Sequence, residues 1–280
     1  MSQYINKIRT DAGDLQINYN ALANLPTISN PNLLINGDFR NPVNQRGQVS
    51  YAGGATKQYT IDRWCMGDSD YGRSVSVVDG GVQIKNTNDQ YVSTFQQIFE
   101  KPLSKSTYTA SVKVKSITGE NPTLQCIGSK GSTQIAMTVG VNSLTLTDAT
   151  IDGVVVYLSP SSTIVLEWAK LEVGTVATEF SPRSYVEELM ECRRYFRRYN
   201  TPLLSLQYYA NQYYGFYFDY PMRADPTFSN LRMLSTDGAN TSIGMSAETT
   251  LGGVKKVFAI DSYTASSAIL ESIDLDAEVY

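Results

Sequence analysis

Between residues 164 and 173 the chain alternates with a two-residue period, Val165, Glu167, Ala169, Leu171 and Val173 on one side and Leu166, Trp168, Lys170 and Glu172 on the other. Both sets contain apolar residues, which predicts a long strand whose middle is covered on both faces. Upstream, Ser74 to Val78 and Val82 to Lys85 flank Asp79-Gly80-Gly81, a hairpin signal. Further strand patterns run over Tyr91–Phe99, Tyr108–Lys115, Thr123–Ile127, Gln134–Val139, Ser143–Thr147 and Val154–Leu158. Short strands at this spacing predict a two-layer sandwich closed by the 164–173 strand.

Next the period changes. Ser184-Tyr-Val-Glu187 forms a capping box, and Tyr185, Leu189, Cys192, Phe196 and Tyr199 fall on one helical stripe. Glu187, Glu188 and Glu191 come early while Arg193, Arg194, Arg197 and Arg198 come late, which suits the helix dipole. An arginine cluster can bind phosphate, but the reading adopted is a solvated helix end, on which Arg197→Ala changes little.

The first segment places Ile5, Ile8, Ala12, Leu15, Tyr19 and Leu22 at a/d spacing. It spans under three heptads and holds Gly13, Asn18 and Asn20, so a coiled coil and an amphipathic or extended arm both remain open. Thr27 to Pro31 is a turn-rich linker. At the other end, Leu203–Tyr209, a turn at Ala210-Asn-Gln212 and Tyr213–Tyr220 predict a second hairpin. Tyr214, Phe216, Phe218 and Tyr220 share a face assigned to core. Tyr213, Tyr217 and Asp219 share the opposite face and are the candidate ligand-binding residues, since tyrosine offers a flat apolar ring and a hydroxyl for a sugar; a subunit interface uses the same chemistry.

Composition narrows the chemistry. The 280 residues are 42% hydrophobic and 18% charged, with net charge −4, 19 tyrosines, two tryptophans and no histidine. The missing histidine removes Ser-His and Cys-His nucleophiles and His-ligated zinc, so any catalysis would have to come from carboxylates, lysine or tyrosine; no catalytic residue is assigned and the chain is read as a non-enzyme. Cys65, Cys126 and Cys192 lack metal or disulfide spacing and read as buried thiols made in a reducing cytoplasm. No apolar run reaches the roughly 18 residues needed to span a bilayer, the amino terminus lacks a secretory pattern, and the acidic charge disfavours nucleic acid. Asp68-Ser-Asp70-Tyr-Gly72 holds a fragment of calcium-loop spacing without the later glutamate; a polar turn is the expectation, with no cofactor and no metal. Trp168 is placed in the core and Trp64 left open.

Four motifs together resemble bacteriophage tail-fibre and receptor-binding proteins: Tyr19-Asn-Ala-Leu-Ala-Asn-Leu-Pro26; Asn32-Leu-Leu-Ile-Asn-Gly-Asp-Phe39 with Asn44-Gln-Arg-Gly47 and Tyr59-Thr-Ile-Asp-Arg-Trp64; residues 164 to 198; and residues 215 to 228 with Pro221-Met-Arg-Ala-Asp-Pro-Thr. The resemblance implies a mainly β protein with an amino-terminal attachment segment at 1–31, a jelly-roll, carbohydrate-binding-module-like sandwich at 32–182, and a linking helix with a small β head at 183–280. It implies a homotrimer, made in the bacterial host cytoplasm and carried on the virion, that joins other virion proteins through residues 1–31 and adheres to a host-surface polysaccharide. Two rivals are a structural virion protein, such as a head fibre or decoration protein without a required receptor, and a surface-polysaccharide hydrolase. Jelly-roll modules of this kind often carry a structural calcium.

Overall fold

The computed structural model describes residues 7–10, 13–16, 29–68, 72–200, 204–207, 222–224, 226–235, 244–249, 256–262 and 267–278. Strands β1 (Lys7–Thr10) and β2 (Gly13–Gln16) pair antiparallel, Ile8 opposite Leu15. Over those residues the a/d spacing is therefore realised as a hairpin, not a helix. Gly13 and the few turns available give a lone helix little support, whereas a hairpin satisfies its own backbone.

The sandwich contains β3 (Ser50–Ala52), β4 (Gln58–Tyr59), β5 (Cys65–Met66), β6 (Arg73–Val78), β7 (Gly81–Asn86), β8 (Ser93–Thr118), β9 (Thr123–Gly128), β10 (Gly131–Ala136), β11 (Gly140–Leu158) and β12 (Ser162–Val173). All pair antiparallel in one ladder of order β10-β9-β11-β8-β12-β7-β6-β3, with β5 also on β8 and β4 on β5. The predicted hairpin is β6–β7, turned through Gly80 at φ 69°.

Two pairs of predicted strands are each one long strand. β8 joins Tyr91–Phe99 to Tyr108–Lys115, and β11 joins Ser143–Thr147 to Val154–Leu158. Where they pair, the register shifts between Leu146 and Gly153, so the ladder bends without breaking. The first half of β8 lies with the second half of β11, β9 and β10; its second half lies with the first half of β11, β12 and β7. Phe95, Leu124 and Val156 from one half and Val112, Ile84 and Leu166 from the other share a single core. The fold is a jelly-roll β-sandwich, with a second, smaller sheet toward the carboxyl end.

Motif residues close the sandwich. Trp64 stacks on Phe95 at 4.9 Å and meets Phe39 edge-on at 5.0 Å, which resolves it as core. Asn36, buried at φ 58°, donates to the carbonyls of Val43 and Asp62 and accepts from the Val43 N–H, each at 2.8 Å. Gly37 is required because a Cβ there would lie 2.5 Å from the Ala169 oxygen. β12 is covered on both faces as its alternation predicts. Trp168 is 7% exposed, stacked on Phe180 at 4.8 Å, while Lys170 and Glu172 are buried beneath Ser29 and Thr178.

Helix α1 (Tyr185–Cys192) has the predicted capping box at Ser184 and Glu187. It ends sooner than the stripe predicts. Tyr195 donates back to the Cys192 carbonyl, and Phe196–Tyr199 become β13, paired with Ile273–Asp276. Cys192 and Phe196 are buried, but Tyr185 is exposed and Leu189 half-buried. The arginines are not a solvated helix end either. Arg194 pairs with Glu100 at 2.9 Å, Arg198 with Asp274 at 2.5 Å, and Arg197 is buried with its Nε on the Arg193 carbonyl. Pairing with a distant strand overrides the local period.

β18 (Ser267–Asp276) is the centre of the smaller sheet, with β13, β14 (Leu204–Gln207) and β15 (Thr227–Ser235) antiparallel to it; β16 (Gly244–Thr249) and β17 (Lys256–Ser262) form a separate hairpin. A buried ionic cluster joins this end to the sandwich. Arg46 contacts Asp62 at 3.1 Å, Asp276 at 3.4 Å and Glu278 at 3.6 Å, and Arg63 meets Glu278 at 2.5 Å.

Candidate functional site

Tyr213, Tyr217 and Asp219 lie outside the described residues, as does the predicted Tyr213–Tyr220 strand. Asp70 does too; Asp68 caps the Lys57 N–H at 2.6 Å, and among the described residues no group of three His, Cys, Asp or Glu is placed to hold a metal. Among those residues no helix is long and apolar enough to cross a membrane.

The carboxylates of the junction are engaged. Burial pushes Asp62 up to about 7, against the opposing pull of Arg46 and of the Gln45 N–H, which it accepts at 2.8 Å. Glu278 accepts from both the backbone and the guanidinium of Arg63, whose Nη2 also reaches the Ile98 carbonyl and whose plane lies 3.8 Å from the Tyr195 ring centroid. These groups serve to hold two parts of the chain together.

The sandwich has two outer faces. That of β12 is covered: residues 29–40 and 174–183 run over Trp168, Lys170 and Glu172. That of β8, β11, β9 and β10 carries a different surface. Directly paired residues point the same way, so the register sets Gln96, Val155, Gln125 and Gln134 in one row across four strands. The next row is Thr94, Tyr157, Thr123 and Ala136, and on the other side lie Ile98, Gly153 and Ile127. Neighbours in a row stand about 5 Å apart at Cβ. Val155 is fully buried and Gln125 only 6% exposed, while Gln96, Tyr157, Thr94 and Thr123 are half-buried and Gln134 is exposed.

Gln125 is the unusual member. Its amide oxygen is sealed from solvent and accepts no hydrogen bond. Such an orphan costs about 1–3 kcal/mol. Rotation about the terminal torsion exchanges oxygen and nitrogen, and so can present either an acceptor or a donor to a group arriving at the face. Amides and hydroxyls ringing an apolar centre are suited to a ligand with hydroxyls around a C–H surface.

The sequence reading did not select these residues. Its strand segments overlap β8, β9, β10 and β11, but which strands are neighbours is set by long-range register. One signal was present: Ser93–Ile98, Thr123–Gly128, Gly131–Ala136 and Gly153–Leu158 contain no Asp, Glu, Lys or Arg.

No family model matches the chain, and no curated protein does. Among solved structures it is similar to a mutant of a family 29 carbohydrate-binding module, at 10% identity over 47% of this chain and 94% of that one, with a TM-score of 0.30. It is also similar to the amino-terminal cellulose-binding domain of Cellulomonas fimi β-1,4-glucanase C, at 13% identity over 40% of this chain and 90% of that one, with a TM-score of 0.26. Likenesses this low carry no argument about what this chain binds.

Proposed function

We propose that this chain is a bacteriophage fibre protein that adheres to a glycan on the host surface, without turning it over, and that the sandwich face around Val155 and Gln125 makes the contact. The carrying observation is the Gln125 amide, buried and with its oxygen unsatisfied, amid a surface of amides, hydroxyls and the Tyr157 ring. Sugar hydroxyls can donate to and accept from such amides while the Tyr157 ring meets the sugar C–H face. The resemblance of residues 19–26, 32–64, 164–198 and 215–228 to phage fibre proteins supplies the setting: a homotrimer on the virion, attached through residues 1–31. One shallow site binds weakly, and three on one fibre multiply the affinity through effective concentration.

The test is binding of labelled protein to a bacterial strain that it coats, before and after periodate cleavage of surface sugar diols. Binding is expected to vanish with the diols; binding that survives and is removed by protease treatment of the cells overturns the glycan reading. Light scattering is expected to give the mass of three chains. A concentration-independent single-chain mass refutes the trimer.

A further inference from the structure

Resting on that reading, we infer that the face takes only uncharged glycan segments, and that Gln125 is its determining contact. The four strand segments that build the face have no charged side chain in a chain that is 18% charged overall. Outside these segments, the charges at Glu100 and Asp148 stand beside charges of opposite sign. Glu100 is bonded to Arg194 at 2.9 Å, and Asp148 lies 2.9 Å from Lys105 and 3.9 Å from Lys130. No cation on these segments is available to a carboxylate or phosphate on a sugar.

An acidic residue laid across Ile98 and Ile127 therefore loses hydration and gains no counter-charge from these segments, a penalty larger than one hydrogen bond recovers. A neutral pyranose loses only hydroxyl hydration, and the amides of Gln96, Gln125 and Gln134 replace it. Gln125 gains most, because its oxygen has no partner before the ligand arrives. It is thus a residue whose free state leaves a buried acceptor unsatisfied.

That relation gives a signature that separates a ligand contact from a structural glutamine. Gln125→Met keeps the approximate volume and removes the orphaned oxygen. Its melting temperature is expected to equal or exceed that of the native protein, while its affinity for a neutral glycan falls about tenfold, the loss of one hydrogen bond.

The experiment is an array of bacterial surface glycans, with neutral members and members bearing uronate or phosphate, probed with the native protein and with Gln125→Met. Signal on neutral members only, weakened about tenfold in the variant, is the expected result. Equal or stronger signal on acidic members overturns the charge selectivity but leaves adhesion standing. Neutral binding unchanged in a folded Gln125→Met moves the site elsewhere and overturns this assignment alone. Signal on no glycan overturns the adhesion reading itself.

Discussion

Replacing Glu278 by Leu removes the carboxylate that neutralises Arg63, and the junction geometry sets the cost. Both side chains are at most 1% exposed, and their shortest contact is 2.5 Å. Without Glu278, the guanidinium keeps the Ile98 carbonyl, the Tyr59 hydroxyl and the Tyr195 ring, none of which carries a charge. Breaking a buried pair from one side costs about 3–5 kcal/mol, a large part of the roughly 5–15 kcal/mol that stabilises a typical domain. Arg63→Met should cost less, because Glu278 still has Arg46 at 3.6 Å. Arg63 sits at φ 69°, and methionine keeps that backbone cost, so the comparison isolates the charge. The double variant should recover most of the loss, since apolar replacement of both partners is often near neutral, giving a coupling of about 2–4 kcal/mol. Urea unfolding at pH 7, followed by fluorescence of the neighbouring Trp64, measures all three. Additive single effects below about 1 kcal/mol would refute the reasoning, because they would mean that water screens the pair.

The remaining predictions concern pH, packing and a glycine. Asp62 has a folded pKa of about 7, above the ordinary 3.8, so it binds its proton more tightly in the folded state; stability is lost as pH rises from about 4 to 7 and is level above that. Asp62→Asn should flatten this part of the curve in urea melts at successive pH, and an unchanged slope would assign it to other groups. Phe180→Ala uncovers Trp168, now stacked at 4.8 Å with 4° between ring planes, and should cost about 0.5–1.5 kcal/mol beyond lost area and shift tryptophan emission to the red. Unshifted emission would contradict that stack. Gly37→Ala drives a Cβ to 2.5 Å from the Ala169 oxygen and 2.6 Å from Asn32 Nδ2, so β12 must move; a loss of several kcal/mol is expected in the same melts, and a loss under about 0.5 kcal/mol would show that the approach is not tight.

How much was legible in the sequence depended on the range of the interaction. Asp79-Gly80, the capping box at Ser184 and the two-sided burial of Trp168 to Leu171 are local or periodic signals, and each is realised. The merging of four predicted strands into β8 and β11 was not legible, because a bulge bends a strand without the turn residues that end one. The helix was read too long because Phe196 and Tyr199 continue a helical period while a strand more than seventy residues away captures them. The charge-free segments of the candidate face could be read one by one, but only the register of β9, β11 and β8 makes them adjacent.

The lid over β12 also has a mechanical meaning. Ser29 donates to the Glu179 carbonyl at 2.7 Å, Asn30 reaches both Thr178 and the Val173 carbonyl at 3.1 Å, and Lys170 grips Ser29, Thr178 and Glu179 from below. Arg183 holds the Leu34 and Asn32 carbonyls. The chain thus enters the sandwich and leaves it through two strands of backbone lashed side by side. Tension applied between residue 29 and residue 183 therefore meets these ties, and β12 through Lys170, before it reaches the rest of the β ladder, much as a rope looped through a cleat loads the cleat first. A pull on the two ends of the sandwich is thus taken up first at the lashing, on the face that does not carry Gln125.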